Sequence, residues 1–107
     1  QSHLSNILSF HAHQCVEKSL KAVIEKYSTE PQKTHNLERL YYQVEKFVQL
    51  HIDELMLEKV SELYIESRYP GDLGLLPNGK PDAEDVREFY EFARDVYQRI
   101  CDLLMDK

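Results

Sequence analysis

The sequence predicts an all-α fold, an antiparallel up-and-down helical bundle of about four helices forming one domain over residues 1–107. Two observations carry that expectation. All three glycines (Gly71, Gly74, Gly79) and three of the four prolines (Pro70, Pro77, Pro81) fall between Tyr69 and Asp82, and Pro31 lies in the polar stretch Tyr27–Thr34. Pro and Gly are disfavoured inside helices, by a missing N–H and by backbone entropy, so the chain divides into three breaker-free blocks. Within each block the apolar residues recur in steps of three and four, the period of one helical face.

The first block runs from Leu4 to about Lys26. Leu4, Ile7, Leu8, Ala12, Cys15, Val16, Ala22, Val23 and Tyr27 trace one face, and His13, Glu17, Lys18, Lys21 and Glu25 fall on the opposite one. At ~1.5 Å per residue such a helix spans roughly 35 Å, long enough to be the spine of the bundle. The second block, Asn36 to Ser67, reads as two helices. Leu37, Leu40, Tyr41, Val44, Phe47, Val48 and His51 form one period, with Thr34 or Asn36 as N-cap; Met56, Leu57, Val60, Leu63 and Tyr64 form another, with Asp53 as cap. The break between them is expected near Gln49–Asp53. Pro70 stops the second helix by Tyr69, because the residue before a proline avoids α geometry. The last block opens with Asp82 before Ala83-Glu84-Asp85, a capping aspartate followed by acidic residues that the helix dipole favours. Val86, Phe89, Tyr90, Ala93, Val96, Tyr97, Ile100, Leu103 and Leu104 then repeat for more than five turns.

The connection YPGDLGLLPNGKPD, Tyr69–Asp82, is long for a compact domain, and such loops are often functional. Its Leu73, Leu75 and Leu76 are expected to fold back on the bundle's own flank, with a lid or a subunit contact as the alternative.

Charge and composition narrow the function. Thirteen Lys+Arg against nineteen Asp+Glu leave a formal net charge of -6, so any nucleic-acid role needs a locally basic site. There is no apolar run near the ~20 residues of a membrane span. Cys15 and Cys101 are too few for a disulfide framework and fit a reducing compartment, so a cytoplasmic location is expected. The chain opens at Gln1 without a basic-then-apolar signal pattern. No Walker loop, GxGxxG, GxSxG or HExxH occurs, which leaves the common NTPase, dinucleotide, hydrolase and zincin readings without support.

The residues with chemistry are few. In HAHQC, His11 and Cys15 share a helical face while His13 points some 200° away, so three converging zinc ligands are not expected. Glu17 and Lys21 form an i,i+4 pair in the favourable order, and by composition alone they read as an exposed surface pair, with Lys18 and Lys21 a small basic strip. His35 follows Lys33-Thr34 at a helix start, where backbone N–H groups can cap or receive a phosphate. Arg68-Tyr69-Pro70 ends a helix. Arg68 there either complements the dipole or offers a guanidinium fork to phosphate or carboxylate, with Tyr69 as a stacking or hydroxyl group.

Three segments taken together resemble the HEPN family, named for higher eukaryotes and prokaryotes nucleotide-binding. They are FHAHQCVEKSLKAVI (Phe10–Ile24), KTHNLERL (Lys33–Leu40) and YIESRYP (Tyr64–Pro70), followed by a helix opening D-A-E-D. Gln14, Glu17, Lys18, Lys21 and Ala22 match the family's long-helix pattern. Thr34, His35 and Leu37 match its Thr-His-x-Leu. Tyr64, Ile65, Arg68, Tyr69 and Pro70 match its aromatic-Ile-x-x-Arg-Tyr-Pro.

The resemblance implies an all-α bundle, commonly a homodimer with a cleft at the two-fold axis, often encoded beside a minimal nucleotidyltransferase in toxin–antitoxin-like pairs. Many members are metal-independent ribonucleases that carry Arg, four to six residues, then His. Here that window holds Leu73, Gly74 and Leu75 after Arg68, and Val44, Glu45 and Lys46 after Arg39, so weak or absent nuclease activity is expected. His35 is the histidine a neighbouring helix could supply instead. Members usually have a further helix before the long one, whereas only QSHLSNILS precedes Phe10; that first helix is expected to be missing or the chain a shortened member, and if it is missing, its apolar contacts are expected to be covered by a partner subunit, by the long loop or by rearrangement. The leading expectation is a nucleotide- or RNA-binding module whose polar cleft is built from Lys21, His35, Arg68 and Tyr69, with Glu17, Lys18 and Thr34 supporting. No metal, cofactor or catalytic residue is expected in it. A diverged ribonuclease and a non-catalytic scaffold or antitoxin-like subunit are the alternatives.

Overall fold

A computed structural model describes residues 2–30, 32–68 and 82–105, with side chains over 7–30, 32–62 and 82–105. It contains four helices, α1 (Ser2–Tyr27), α2 (Leu37–Glu45), α3 (Glu54–Arg68) and α4 (Ala83–Met105), and no strand among the described residues. The all-α four-helix bundle expected from the sequence is therefore present. Leu73, Leu75 and Leu76 of the long connection lie outside the described residues.

The caps account for where the later helices begin. Asn36, not Thr34, is the N-cap of α2: its side-chain oxygen accepts from Arg39 N at 3.0 Å, while Thr34 Oγ1 accepts from Asn36 N at 3.0 Å and shapes the turn before it. Asp53 Oδ1 accepts from Leu55 N and Met56 N, starting α3. At α4 the capping is reciprocal. Asp85 N donates to Asp82 Oδ1 at 2.8 Å and Asp82 N to Asp85 Oδ2 at 3.1 Å, which satisfies two orphan donors at once. The second helix ends earlier than its apolar period, at Glu45, so Phe47 and His51 fall in the connection and both are exposed. Tyr41 Oη donates to the Leu50 carbonyl at 2.8 Å and ties that connection to α2.

α1 is the centre of the bundle and packs against each of the other three helices. Ala12, Val16, Leu20, Val23 and Ile24 on α1 meet Leu37, Leu40, Tyr41 and Val44 on α2, Leu57 and Val60 on α3, and Phe89, Phe92, Ala93, Val96 and Ile100 on α4. A helix enclosed on several sides buries more than one stripe. That corrects the two-faced reading of α1. His13 and Glu17, placed on a solvent face by periodicity, are buried, whereas Ile7 and Tyr27, placed on the apolar face, are exposed.

Neighbouring helices do not simply alternate in direction. Glu17 touches His35 just before α2, and Tyr27 stacks on Phe47 just after it, so α2 runs in the same sense as α1. The reason is length: nine residues span only about 14 Å, too little to retrace α1, and residues 28–36 carry the chain back instead. Leu37 N, on the first residue of α2, donates to Ser61 Oγ midway along α3. Cys15 Sγ meets the Ala93 carbonyl at 3.9 Å, and further along both helices Ala22 and Leu104 line the same groove, so α4 runs with α1.

Candidate functional site

On α1 the polar residues Ser9, His13, Glu17 and Lys21 succeed one another every four positions and form a column along one side of the helix. The first three are buried. Burial of so many polar groups on one line is unusual for a small core, and the partners of Glu17 show what compensates its charge.

Glu17 is the hub. One carboxylate oxygen, Oε2, receives Lys21 Nζ at 2.9 Å from the next turn and His35 Nδ1 at 2.8 Å from the segment that precedes α2. The other, Oε1, lies 3.7 Å from His13 Nδ1 and accepts no hydrogen bond among the described residues. Burial works against ionisation of Glu17, but the hydrogen bonds and charges of Lys21 and His35 outweigh it and hold the carboxyl below its usual range. The carboxylate is thus ionised at neutral pH and compensated by a cation one turn away. The reading of Glu17–Lys21 as an exposed surface pair is overturned: the acid is buried, and its bond to His35 links α1 to the segment before α2.

His13 behaves differently. Burial pulls its pKa down to about 4, against the opposing effects of the Glu17 carboxylate and the His35 backbone. At neutral pH it is an uncharged imidazole, stacked against Phe10 with the rings 7° from parallel. His35, by contrast, is 47 % exposed while its Nδ1 is engaged by Glu17. A buried carboxylate that orients a solvent-reaching imidazole, with an ammonium alongside, can hold an anion or manage a proton.

Lys21 and His35, expected to share a site, are brought together through Glu17, and Lys18 stands exposed on the next part of the α1 surface. Thr34 acts as a turn-former. Tyr69 and the Arg68 side chain lie outside the described residues; Arg68 ends α3 seven residues beyond Ser61, which touches the first residue of α2. His13 is the member that sequence reasoning missed. The i,i+4 recurrence Ser9–His13–Glu17–Lys21 was the signal that pointed to it. The structure also brings His35 to the His13–Glu17 pair. Even so, among the described residues no three His, Cys, Asp or Glu side chains are arranged to hold a metal ion. The cation position beside Glu17 belongs to the Lys21 ammonium. Cys15 is half-buried with its thiol pushed up by burial, the state of an inert rather than an activated cysteine.

The family model of the HEPN domain matches residues 1–104. The chain belongs to the HEPN family. No curated protein and no solved structure matches it. The match spans α1 to α4 and so contains the whole Glu17 cluster. Among the described residues no helix of this HEPN protein is long and apolar enough to cross a membrane.

Proposed function

We propose that this HEPN domain is a nucleotide- or RNA-binding module in which Lys21 and His35 take a phosphate, Arg68 and Tyr69 complete the site, and Glu17 orients the cations. The observation that carries this reading is the shared oxygen of Glu17, which sets an ammonium and an imidazole side by side at the edge of the bundle. Local charge supports it. Between Glu17 and Asn36 there are four lysines and three glutamates, one net positive charge in a chain whose total is -6.

Thermal shift with AMP and ATP tests the module. Wild type is expected to gain stability with nucleotide, and Lys21→Ala and Arg68→Ala to lose that gain. No shift up to millimolar nucleotide would overturn the reading and leave a ligand-free scaffold.

A second reading is favoured by one contact. A carboxylate holding imidazole Nδ1 is the arrangement in which the other ring nitrogen serves as a general acid or base, so a diverged ribonuclease centred on His35 follows from the same geometry. Metal-independent cleavage of labelled tRNA in chelator, lost in His35→Ala, would favour it over simple binding.

The proposal extends to assembly as a homodimer, with a minimal nucleotidyltransferase as partner in a toxin–antitoxin-like pair. An apolar groove of about 300 Å³ between α1 and α4, lined by Ala22, Tyr97, Ile100 and Leu104 among others, supports a protein partner. Light scattering that returned the 12.7 kDa monomer mass at all concentrations would refute the dimer.

A further inference from the structure

The far end of α2 carries a feature that the Glu17 cluster does not use. Tyr27, the last residue of α1, and Phe47, two residues beyond α2, stack with ring centroids 5.3 Å apart and planes 10° from parallel. Neither ring is covered: Tyr27 is 44 % and Phe47 40 % exposed. Lys26 Nζ stands 5.8 Å from the Tyr27 centroid. A single exposed aromatic is ordinary. Two nearly parallel exposed rings beside a cation form a platform that a further flat π system can extend, and every nucleobase offers such a face.

The platform's position relative to the cluster fixes a length. Tyr27 lies ten residues past Glu17 on one continuous helix, about 15 Å along its axis. Because α2 runs in the same sense as α1, His35 before it and Phe47 after it meet α1 at these two levels. A nucleoside monophosphate whose phosphate sits at Lys21 and His35 is too short to place its base on Phe47. A stacked strand advances about 3.4 Å per nucleotide, so the interval corresponds to about four stacked nucleotides, or fewer when the backbone is extended. Glu25 and Glu45 flank the two rings' neighbouring lysines in sequence and are exposed, which makes this end a poor place for phosphate and leaves the base as the group it would take.

We infer that the ligand of this domain is a short single strand rather than a mononucleotide, with a phosphate at Lys21 and His35 and a base stacked on the Tyr27–Phe47 pair. The inference rests on the phosphate-binding reading above, and its test separates the two. Fluorescence anisotropy of a labelled single-stranded hexaribonucleotide is compared with calorimetric titration of AMP on the same full chain. The hexamer is expected to bind at least about 5-fold more tightly, and Phe47→Ala to weaken hexamer binding by roughly 5- to 150-fold, the range of one base–aromatic stack. Phe47→Trp keeps a ring and is expected to restore it, so a folding defect is distinguished from loss of stacking. The same hexamer annealed to its complement, with its bases already stacked, is expected to bind more weakly. Hexamer affinity unchanged in Phe47→Ala, or equal for strand and duplex, overturns the inference while AMP binding keeps the phosphate site. Absence of binding by both AMP and hexamer overturns both.

Discussion

The buried imidazole of His13 makes acid sensitivity a quantitative consequence of the fold. In the unfolded chain the ring titrates at 6.5; in the folded one burial holds it at about 4. A histidine whose folded pKa is depressed leaves the unfolded state binding more protons, so stability is complete above 6.5 and is lost as pH falls toward 4. Over the full window a displacement of about two and a half pKa units amounts to about 3 kcal/mol, and by pH 5 about 2 kcal/mol of it is already gone. Glu17 does not blur this, because its pKa is lowered from 4.5 and its contribution is lost only below that value. The perturbation is His13→Gln, which keeps a polar side chain and cannot titrate. Urea unfolding of wild type and variant at pH 7.5 and pH 5 is the assay. Wild type is expected to lose about 2 kcal/mol more than the variant on going to pH 5, a midpoint difference of about 1 M urea. If both proteins lose the same stability, His13 is not held neutral in the core and the enclosure of α1 is wrong.

Two further outcomes test the packing. Tyr41→Phe removes the hydroxyl that donates to the Leu50 carbonyl and leaves a buried acceptor unpaired, so a loss of about 1–3 kcal/mol is expected, read as a fall in the thermal midpoint. Leu20→Ala on the enclosed face of α1 is expected to cost about 2–5 kcal/mol, whereas Leu55→Ala, 73 % exposed on α3, should stay within about 0.5 kcal/mol; equal effects would contradict the placement of the core.

Much of the secondary structure was legible in the residues. Asp82, Asp53 and Asn36 cap the helices that begin after them, because a short polar side chain beside unpaired N–H groups acts locally, whatever packs around it. The α4 period was readable for a related reason, since that helix keeps one face to solvent; even there Phe92 was missed and is buried, while Tyr90 and Tyr97 are half-exposed. α1 was misread where it mattered most. Periodicity assumes one wet face, and α1 has neighbours on several sides. His35 and Lys21 were singled out as site residues, but nothing in their spacing of fourteen positions revealed that a single carboxylate oxygen would join them.

The sequence by itself determined where helices start and stop, that they are amphipathic enough to bundle, and which few side chains have chemistry to offer. Those properties depend on bonds and dihedrals a few residues apart. Tertiary structure alone decided that Glu17 is buried and ionised, that His13 is neutral, that α2 runs beside α1 in the same sense, and hence which groups share a surface. Each of these depends on what lies against a side chain from a distant part of the chain, because solvation and charge pairing, not local propensity, set protonation and burial.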